Sequence, residues 1–151
     1  MEKEFSRRSF LKVGTTAALG LAVAPSMLMG RSKKKDAAPK PLDRKLKVLG
    51  VGIGGRGASV LKELETEEII GLCDVDWKYA AHVFERYPNA KRYNDYKVMY
   101  AELLDEADAV VVATADHTHA IIAAEAIVAG KHVYVEKPLT HTVYESRLLT
   151  K

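Results

Sequence analysis

A short apolar run at residues 47–51 leads into a glycine-rich turn and then into a helical pattern. Gly50, Gly52 and Gly55 have the spacing G-x-G-x-x-G. In such a turn the first glycine permits the tight bend, the second lets a pyrophosphate approach the backbone, and the third lets the helix pack on the strand. The helix predicted at residues 56–64 would direct its N-terminal amides toward phosphates. Because such turns also serve as ordinary strand-to-helix connections, the spacing alone leaves dinucleotide binding open.

A second apolar run, residues 68–73, ends in Asp74, which lies 19 positions after Gly55. A carboxylate at this place is expected to hold the ribose hydroxyls of a dinucleotide. Alternatively, Asp74 or Asp76 caps the next helix, and the two roles can be divided between them. Strand, turn, helix, strand and acid together predict dinucleotide binding. Asp74 favours NAD over NADP because it would repel a 2′-phosphate, whereas Arg56 keeps NADP as a minor alternative.

The remaining pattern alternates strands with helices, which predicts an α/β fold, a doubly wound parallel sheet of the Rossmann type. The strand at 109–113 is continuously apolar, as a parallel strand covered on both faces requires. Asp95 is expected to cap a helix, and Gly130 to end one. The other predicted elements are a helix at 77–87, a strand at 91–93, helices at 96–104 and 116–129, a strand at 132–135 and a helix from about 143.

The chain has 151 residues, 48% of them hydrophobic and 28% charged, which predicts one globular domain. Its net charge of +3 is uneven, because residues 31–45 carry seven basic side chains and only two acidic ones. The part from residue 46 onward is mildly acidic, so it offers no charge pattern for binding nucleic acid. Cys73 is the single cysteine, which excludes an intramolecular disulfide and indicates a small core residue.

The N-terminus carries paired arginines, Arg7 and Arg8, followed by Phe-Leu-Lys at 10–12 and an uncharged run at 13–30. This pattern is typical of a twin-arginine export signal, which delivers folded proteins to the periplasm. We therefore expect a signal segment at 1–30 and contact with the twin-arginine export machinery. Residues 31–45, basic and without apolar periodicity, are expected to form a linker before a nucleotide-binding domain at 46–151.

A membrane-spanning helix is the alternative for the N-terminal segment, although Gly14, Gly20 and Pro25 interrupt it. Residues 22–24 match a cleavage box, but Pro25 follows directly and is poorly tolerated by processing enzymes. Retention as a membrane anchor is therefore a second possible outcome of export.

Four loops follow the strands and share one edge of the predicted sheet: 50–57, 74–76, 114–119 and 136–138. Lys137, just past a buried strand, is placed to act as a charge or a proton donor, its alternative being a solvated loop lysine. His117 and His119 lack a third ligand at suitable spacing, so no metal site is predicted. Asp116 is expected to cap the helix that begins there.

These motifs together resemble the N-terminal domain of the Gfo/Idh/MocA oxidoreductases, which include glucose-fructose oxidoreductase and inositol dehydrogenase. The resemblance covers about residues 46–151, and its most specific part is the Ala-Gly-Lys-His-Val-Tyr-Val-Glu-Lys-Pro-Leu segment at 129–139. Ala115 departs from the family pattern, which usually has proline before the Asn or Asp. The other matching segments are the glycine turn at 50–57, Cys-Asp-Val-Asp at 73–76 and the Thr114 to Ala120 segment.

The resemblance implies three groups of cofactor-binding residues. Thr114, Asp116 and His119 would line the path to the nicotinamide, and Glu136, Lys137 and Pro138 would form the family's Glu-Lys-Pro motif. Lys137 would be catalytic, close to both nicotinamide and substrate. The dinucleotide itself would be held by Gly50, Gly52, Ile53, Gly54, Gly55, Arg56 and Asp74.

The resemblance also implies hydride transfer between NAD and a hydroxyl-bearing carbon of a sugar or cyclitol. Two alternatives stay open: an NAD-dependent glycosidase, since some exported relatives oxidise a sugar transiently and eliminate its substituent, and a non-catalytic nucleotide-binding fragment. Family members continue into a second α/β domain that supplies the substrate pocket, and these 151 residues do not include it. The Rossmann sheet is accordingly expected to be incomplete, and a homo-oligomer is expected only of a full-length protein.

Overall fold

The computed structural model describes residues 43–151. The predicted signal segment at 1–30 and most of the predicted linker at 31–45 lie outside these described residues. Within the described part, strands and helices alternate along the chain. The strands are β1 (Lys47–Val51), β2 (Glu68–Cys73), β3 (Lys91–Tyr93), β4 (Ala109–Val112) and β5 (His132–Val135); the helices are α1 (Arg56–Glu63), α2 (Ala81–Arg86), α3 (Tyr96–Leu103), α4 (Asp116–Val128) and α5 (Val143–Leu149).

The five strands form one parallel sheet in the order β3-β2-β1-β4-β5. β1 lies at the centre and pairs with β2 on one side and β4 on the other. The chain therefore reverses direction across the sheet between β1 and β4, which is where open parallel sheets bind ligands. The predicted fold class, a doubly wound Rossmann-type sheet, is confirmed for the described residues.

Side chains of the central strands point alternately into two hydrophobic layers. On β1, Leu49 and Val51 belong to the layer beneath α3 and α4, whereas Val48 belongs to the layer beneath α1 and α2. On β4, Val110 and Val112 face the first layer and Val111 the second. Because both faces of the sheet are covered, the side chains that β4 directs to either face must be apolar. This is the physical reason for the continuous run of valines in β4.

The predicted helix at 77–87 is wrong in its first turn, because α2 begins only at Ala81. Residues 77–80 form turns. There the Tyr79 amide donates a hydrogen bond to Asp76 Oδ1, with an N–O distance of 2.9 Å. Trp77 is held separately, since its indole nitrogen donates to the Tyr93 carbonyl oxygen at 3.3 Å. The other predicted elements match to within about one residue at their ends, and none of the described helices is both long and apolar enough to cross a membrane.

Candidate nucleotide-binding site

An open cleft of about 740 Å³ lies at the carboxyl ends of the central strands. It is bounded by the loops that follow β1, β2, β3 and β4, so the sheet edge singled out in the sequence is the place where polar groups converge. A second groove, of about 630 Å³, lies against α1 and the β4–β5 side of the sheet and is lined chiefly by apolar side chains. Residues around the cleft include Gly52, Gly55, Asp74, Tyr79, Asn94, Tyr96, Thr114, His117 and Thr118.

The glycine turn after β1 passes extremely close to the backbone after β4. Gly52 has φ +76°, and a Cβ built on it would lie 2.6 Å from the Thr114 amide nitrogen. A Cβ on Gly57, in the first turn of α1, would lie 2.3 Å from the Gly52 carbonyl oxygen. Both positions therefore require glycine. The turn is left bare at the N-terminus of α1, where no side chain caps the helix, as a pyrophosphate-binding turn requires.

The structure gives Gly50 and Gly55 different positions from those that the sequence predicted. Gly50 lies inside β1 and not in the turn, and a Cβ there would meet the side chains of the core beneath α1 at 3.0–3.2 Å. The close helix packing predicted for Gly55 belongs instead to Gly57, while Gly55 faces Tyr79. Ile53 is fully buried beneath the turn, where it belongs to the core beneath α1 and α2.

Asp74 joins the end of β2 to the glycine turn. Its Oδ2 accepts the Gly54 amide at 2.8 Å and its Oδ1 accepts the Asp76 amide at 3.0 Å. Each carboxylate oxygen retains further acceptor capacity, which two vicinal ribose hydroxyls would use. Asp76 caps the next turn through Tyr79, so the capping role that the sequence left open between the two acids belongs to Asp76.

Arg56 is engaged with a residue from the far end of the domain. Its Nε donates to Glu136 Oε2 at 3.2 Å, and the Tyr134 hydroxyl donates to the same oxygen at 3.3 Å. Partial burial raises the pKa of Glu136, but the hydrogen bonds from Arg56 and from the Lys137 amide outweigh it, so that the pKa is lowered overall. The Arg56 Nε is thus paired with a carboxylate, while the arginine side chain remains 62% exposed.

Thr114 and His119 connect the loop after β4 to the loop after β5. His119 is 1% exposed; its Nε2 lies 3.0 Å from the Thr114 carbonyl oxygen and its Nδ1 lies 2.7 Å from the Pro138 carbonyl oxygen. The ring thus lies beneath the cleft and ties together the two loops above it. The Thr118 hydroxyl lies 2.7 Å from Thr114 Oγ1, so this side of the cleft is a connected set of hydroxyls.

Asp116 is not the helix cap that the sequence predicted. Ala115 occupies the N-cap position of α4 without a side-chain hydrogen bond, and Asp116 is exposed in the first turn. The negative charge of Asp116 there interacts favourably with the positive N-terminal end of the helix dipole. Alanine at 115, in an extended conformation with φ −71° and ψ 145°, occupies the usual family proline position with a proline-like φ.

Lys137 is exposed at the same edge of the sheet, and its peptide bond to Pro138 is cis. Within residues 43–151 its Nζ forms no hydrogen bond or ion pair, while the neighbouring Glu136 is fixed by Arg56. Lys137 lies outside the lining of the cleft itself. Across the described residues, no group of three or more His, Cys, Asp or Glu side chains is placed to hold a metal ion.

Three residues at this site were missed by the sequence reasoning. Gly57 and Thr118 lie within the matching segments but were not predicted as site residues. Their roles depend on contacts that only the folded structure shows, of Gly57 with the Gly52 carbonyl oxygen and of Thr118 with Thr114. Tyr79 lies on the glycine turn: a Cβ on Gly54 would be 2.5 Å from its Cδ1. Its position five residues beyond Asp74 gave no signal, because the sequence predicted a regular helix there.

The fold and the bare glycine turn define a dinucleotide-binding domain of the Rossmann class. Residues 45–151 match the Gfo/Idh/MocA oxidoreductase family, described as an NAD-binding Rossmann fold. The chain belongs to this family. The prediction of NAD is thereby confirmed at the level of the family to which the domain belongs.

Similar proteins include a glycosidase, a protein of gentamicin A biosynthesis and an inositol dehydrogenase. An alpha-N-acetylgalactosaminidase of Shewanella oneidensis is 32% identical over 92% of this chain and 35% of its own length. GenD2 from gentamicin A biosynthesis, solved with NAD, is 33% identical with a TM-score of 0.60, covering 70% of this chain and 30% of its own. A Lactobacillus casei myo-inositol dehydrogenase, solved with NAD(H) and myo-inositol, is 26% identical with a TM-score of 0.62, covering 71% and 34%. This chain thus spans about a third of the length of these relatives.

Proposed function

We propose that this chain forms the NAD-binding part of an enzyme that acts on a hydroxyl-bearing carbon of a sugar or cyclitol. The observation that carries the proposal is the bare turn at Gly52, whose backbone packs against Thr114 while Asp74 holds the Gly54 amide at 2.8 Å. The Gly52 and Gly54 amides already donate to the Cys73 carbonyl oxygen and to Asp74, so the turn offers a pyrophosphate the amides of Gly55 and Arg56 at the start of α1, and Asp74 offers its carboxylate to a ribose. The related myo-inositol dehydrogenase, solved with NAD(H) and myo-inositol, supports the substrate class.

When bound, NAD⁺ supplies a nicotinamide that accepts a hydride from the carbon bearing the hydroxyl. Lys137 is the residue of this chain proposed to act on that hydroxyl. As the hydroxyl proton passes to a general base of the complete enzyme, the Lys137 ammonium group would donate a hydrogen bond to the oxygen and favour the negative charge that develops there. Glu136, held by Arg56, fixes the start of the Lys137 loop, and His119 fixes its end through the Pro138 carbonyl.

Binding of the cofactor is tested first, by calorimetric titration of the purified whole protein with NAD⁺. We expect one site per chain, lost on substitution of Gly52. Absence of any NAD⁺ or NADH binding in a folded protein would overturn the proposed function.

The role of Lys137 is tested by Lys137→Met in the complete protein. We expect turnover to fall by about a hundredfold or more with little change in NAD affinity, since general acid–base groups contribute about 10²–10⁴-fold. Lys131→Met is the matched control, because Lys131 lies at the other end of β5 and donates to the Asp105 carbonyl oxygen. Equal activity in the Lys137 and Lys131 variants would refute the role.

A second candidate is an NAD-dependent glycosidase, favoured by the 32% identity to an alpha-N-acetylgalactosaminidase. In that reaction the sugar would be oxidised transiently, so no net NADH would accumulate. Release of nitrophenol from an aryl N-acetylgalactosaminide without net NADH would establish it. Stoichiometric NADH formation from a free sugar or cyclitol would establish the dehydrogenase instead.

Export through the twin-arginine route, and therefore a periplasmic location, are part of the same proposal. Support comes from the Arg7-Arg8 motif, the Phe-Leu-Lys at 10–12 and the uncharged run at 13–30. Replacing both arginines by lysine should leave the protein in the cytoplasm. Undiminished recovery from the envelope would contradict the proposal, and the mass of the exported protein would show whether the signal is cleaved.

A further inference from the structure

Tyr79 occupies an unusual place for an exposed aromatic side chain. Its ring lies along the glycine turn: a Cβ on Gly54 would be 2.5 Å from its Cδ1, and a Cβ on Gly55 would be 3.4 Å from its hydroxyl oxygen. The same Gly54 position is 3.3 Å from Asp74 Oδ2. The ring and the carboxylate therefore flank one side of Gly54, and both line the cleft.

The backbone holds Tyr79 in this place independently of any ligand. Its amide donates to Asp76 Oδ1 at 2.9 Å, and the Asp76 amide in turn donates to Asp74 Oδ1 at 3.0 Å. Tyr79 is thus fixed relative to Asp74 by two consecutive hydrogen bonds. Tyr79 is 62% exposed as a residue and lines the cleft, so it is not part of the hydrophobic core.

A dinucleotide bound at this turn would have its pyrophosphate on the glycine segment and its adenosine ribose at Asp74. Tyr79 would then stand beside the 2′-oxygen. We propose that the Tyr79 ring is a steric wall that excludes a 2′-phosphate, and that it makes the site selective for NAD over NADP separately from the charge of Asp74. This inference rests on the proposed NAD binding and names a specificity residue of that same site.

Two mechanisms of exclusion can be separated by ionic strength. Repulsion between Asp74 and a phosphate is electrostatic and is screened when the Debye length falls to about 3 Å at 1 M salt. Exclusion by the Tyr79 ring depends on volume and is insensitive to salt. The Arg56 Nε lies 3.2 Å from Glu136 Oε2, and any attraction of this exposed arginine to a phosphate is also screened at high salt.

The test measures the dissociation constants of NAD⁺ and NADP⁺ for the whole protein and for Tyr79→Ala, Tyr79→Phe and Asp74→Asn, at low and high salt. We expect Tyr79→Ala to reduce the preference for NAD about tenfold at both salt concentrations, in line with discrimination by pocket volume. Tyr79→Phe should retain the preference, because the ring volume is kept. The preference lost in Asp74→Asn should be smaller at high salt.

Tyr79→Leu is a second variant of intermediate volume, and circular dichroism confirms folding of each protein. An unchanged NAD preference in both Tyr79→Ala and Tyr79→Leu would overturn the inference, as would a loss of preference in Tyr79→Phe equal to that in Tyr79→Ala. If the unaltered, folded protein binds no NAD⁺, the proposed function itself fails. The two failures are therefore distinguishable.

Discussion

Gly52 lies so close to Thr114 that a single added carbon would overlap with the backbone. A Cβ on Gly52 would be 2.6 Å from the Thr114 amide nitrogen and 2.7 Å from the carbonyl carbon of Ala113. The turn after β1 and the loop after β4 are thus built against each other, and the shape of the cofactor site depends on their contact.

Gly52→Ala should therefore abolish measurable NAD binding and lower the free energy of unfolding by about 2–4 kcal/mol, since backbone must move. Gly130→Ala is the matched control, because Gly130 has nearly the same φ of +74° with nothing within 4 Å of an added Cβ. Gly130→Ala should lower the free energy of unfolding by only about 1 kcal/mol, the cost of placing alanine in the left-handed conformation. Urea denaturation measures both, and similar losses in the two variants would contradict the clash.

His119 is expected to matter more to stability than its neighbour His117. The buried His119 ring lies between the carbonyl oxygens of Thr114 and Pro138, whereas His117 is exposed. His119→Ala should lower the free energy of unfolding by about 2–3 kcal/mol, because it removes buried hydrogen bonds and leaves a cavity. His117→Ala should stay within about 0.5 kcal/mol of the unaltered protein. A thermal shift equal in the two variants would count against the role of His119.

The protein is expected to lose stability in acid because the charged form of Asp108 is held by hydrogen bonds in the folded state. Arg44 donates to both of its oxygens, at 2.6 and 2.7 Å, and the Lys47 amide donates at 2.8 Å. The Arg44 hydrogen bonds, followed by the Lys47 amide, hold the pKa of Asp108 well below its usual range. Its contribution is fully present above the unfolded pKa of about 3.9 and is lost as the pH falls through the folded pKa.

Asp108→Asn should accordingly lower the free energy of unfolding by about 1 kcal/mol at pH 7, and this difference should shrink below about pH 4. Asp105→Asn is the control, since the Asp105 side chain is exposed and contributes no hydrogen bond within the described residues. Urea midpoints measured from pH 7 to pH 3 test the point. A difference between Asp108→Asn and the unaltered protein that stays constant with pH would refute it.

Cys73 should be inert to thiol reagents in the native protein. Burial, followed by the nearby charges of Asp74 and Asp95, raises the pKa of its thiol to about 12. At pH 8 only about one thiol in ten thousand would be ionised, and the residue is 3% exposed. Dithionitrobenzoate should react only after addition of denaturant. Native reactivity at the rate of a free small thiol would show that β2 is not packed as described.

The order and type of the elements were predictable because each depends on local patterns. The apolar run of β4, the cap at Asp95 and the glycine after α4 each specify a local conformation whatever the rest of the chain does. The position of Asp74 after β2 was predictable for the same reason, since its spacing from the glycine turn is a property of one βαβ unit.

Features that depend on contacts between distant loops could not be predicted. The burial of His119 requires the Pro138 carbonyl, and the need for glycine at 57 requires the Gly52 carbonyl. Tyr79 was hidden because the apolar periodicity of Ala80, Val83, Phe84 and Tyr87 predicted one continuous helix at 77–87. The Asp76 carboxylate caps the turn at 77–80, and the regular helix α2 begins only at Ala81.

The contact between Gly52 and the Ala113–Thr114 backbone also sets an order of events during synthesis. A chain emerging from the ribosome N-terminus first presents its glycine turn and Asp74 well before β4 has been made. Until Thr114 emerges and β4 pairs beside β1, the turn lacks one of its walls. Loading of a dinucleotide is therefore expected only after β1 to β4 have been made, and a pause in translation before residue 114 would leave the nascent domain without one wall of its cofactor site.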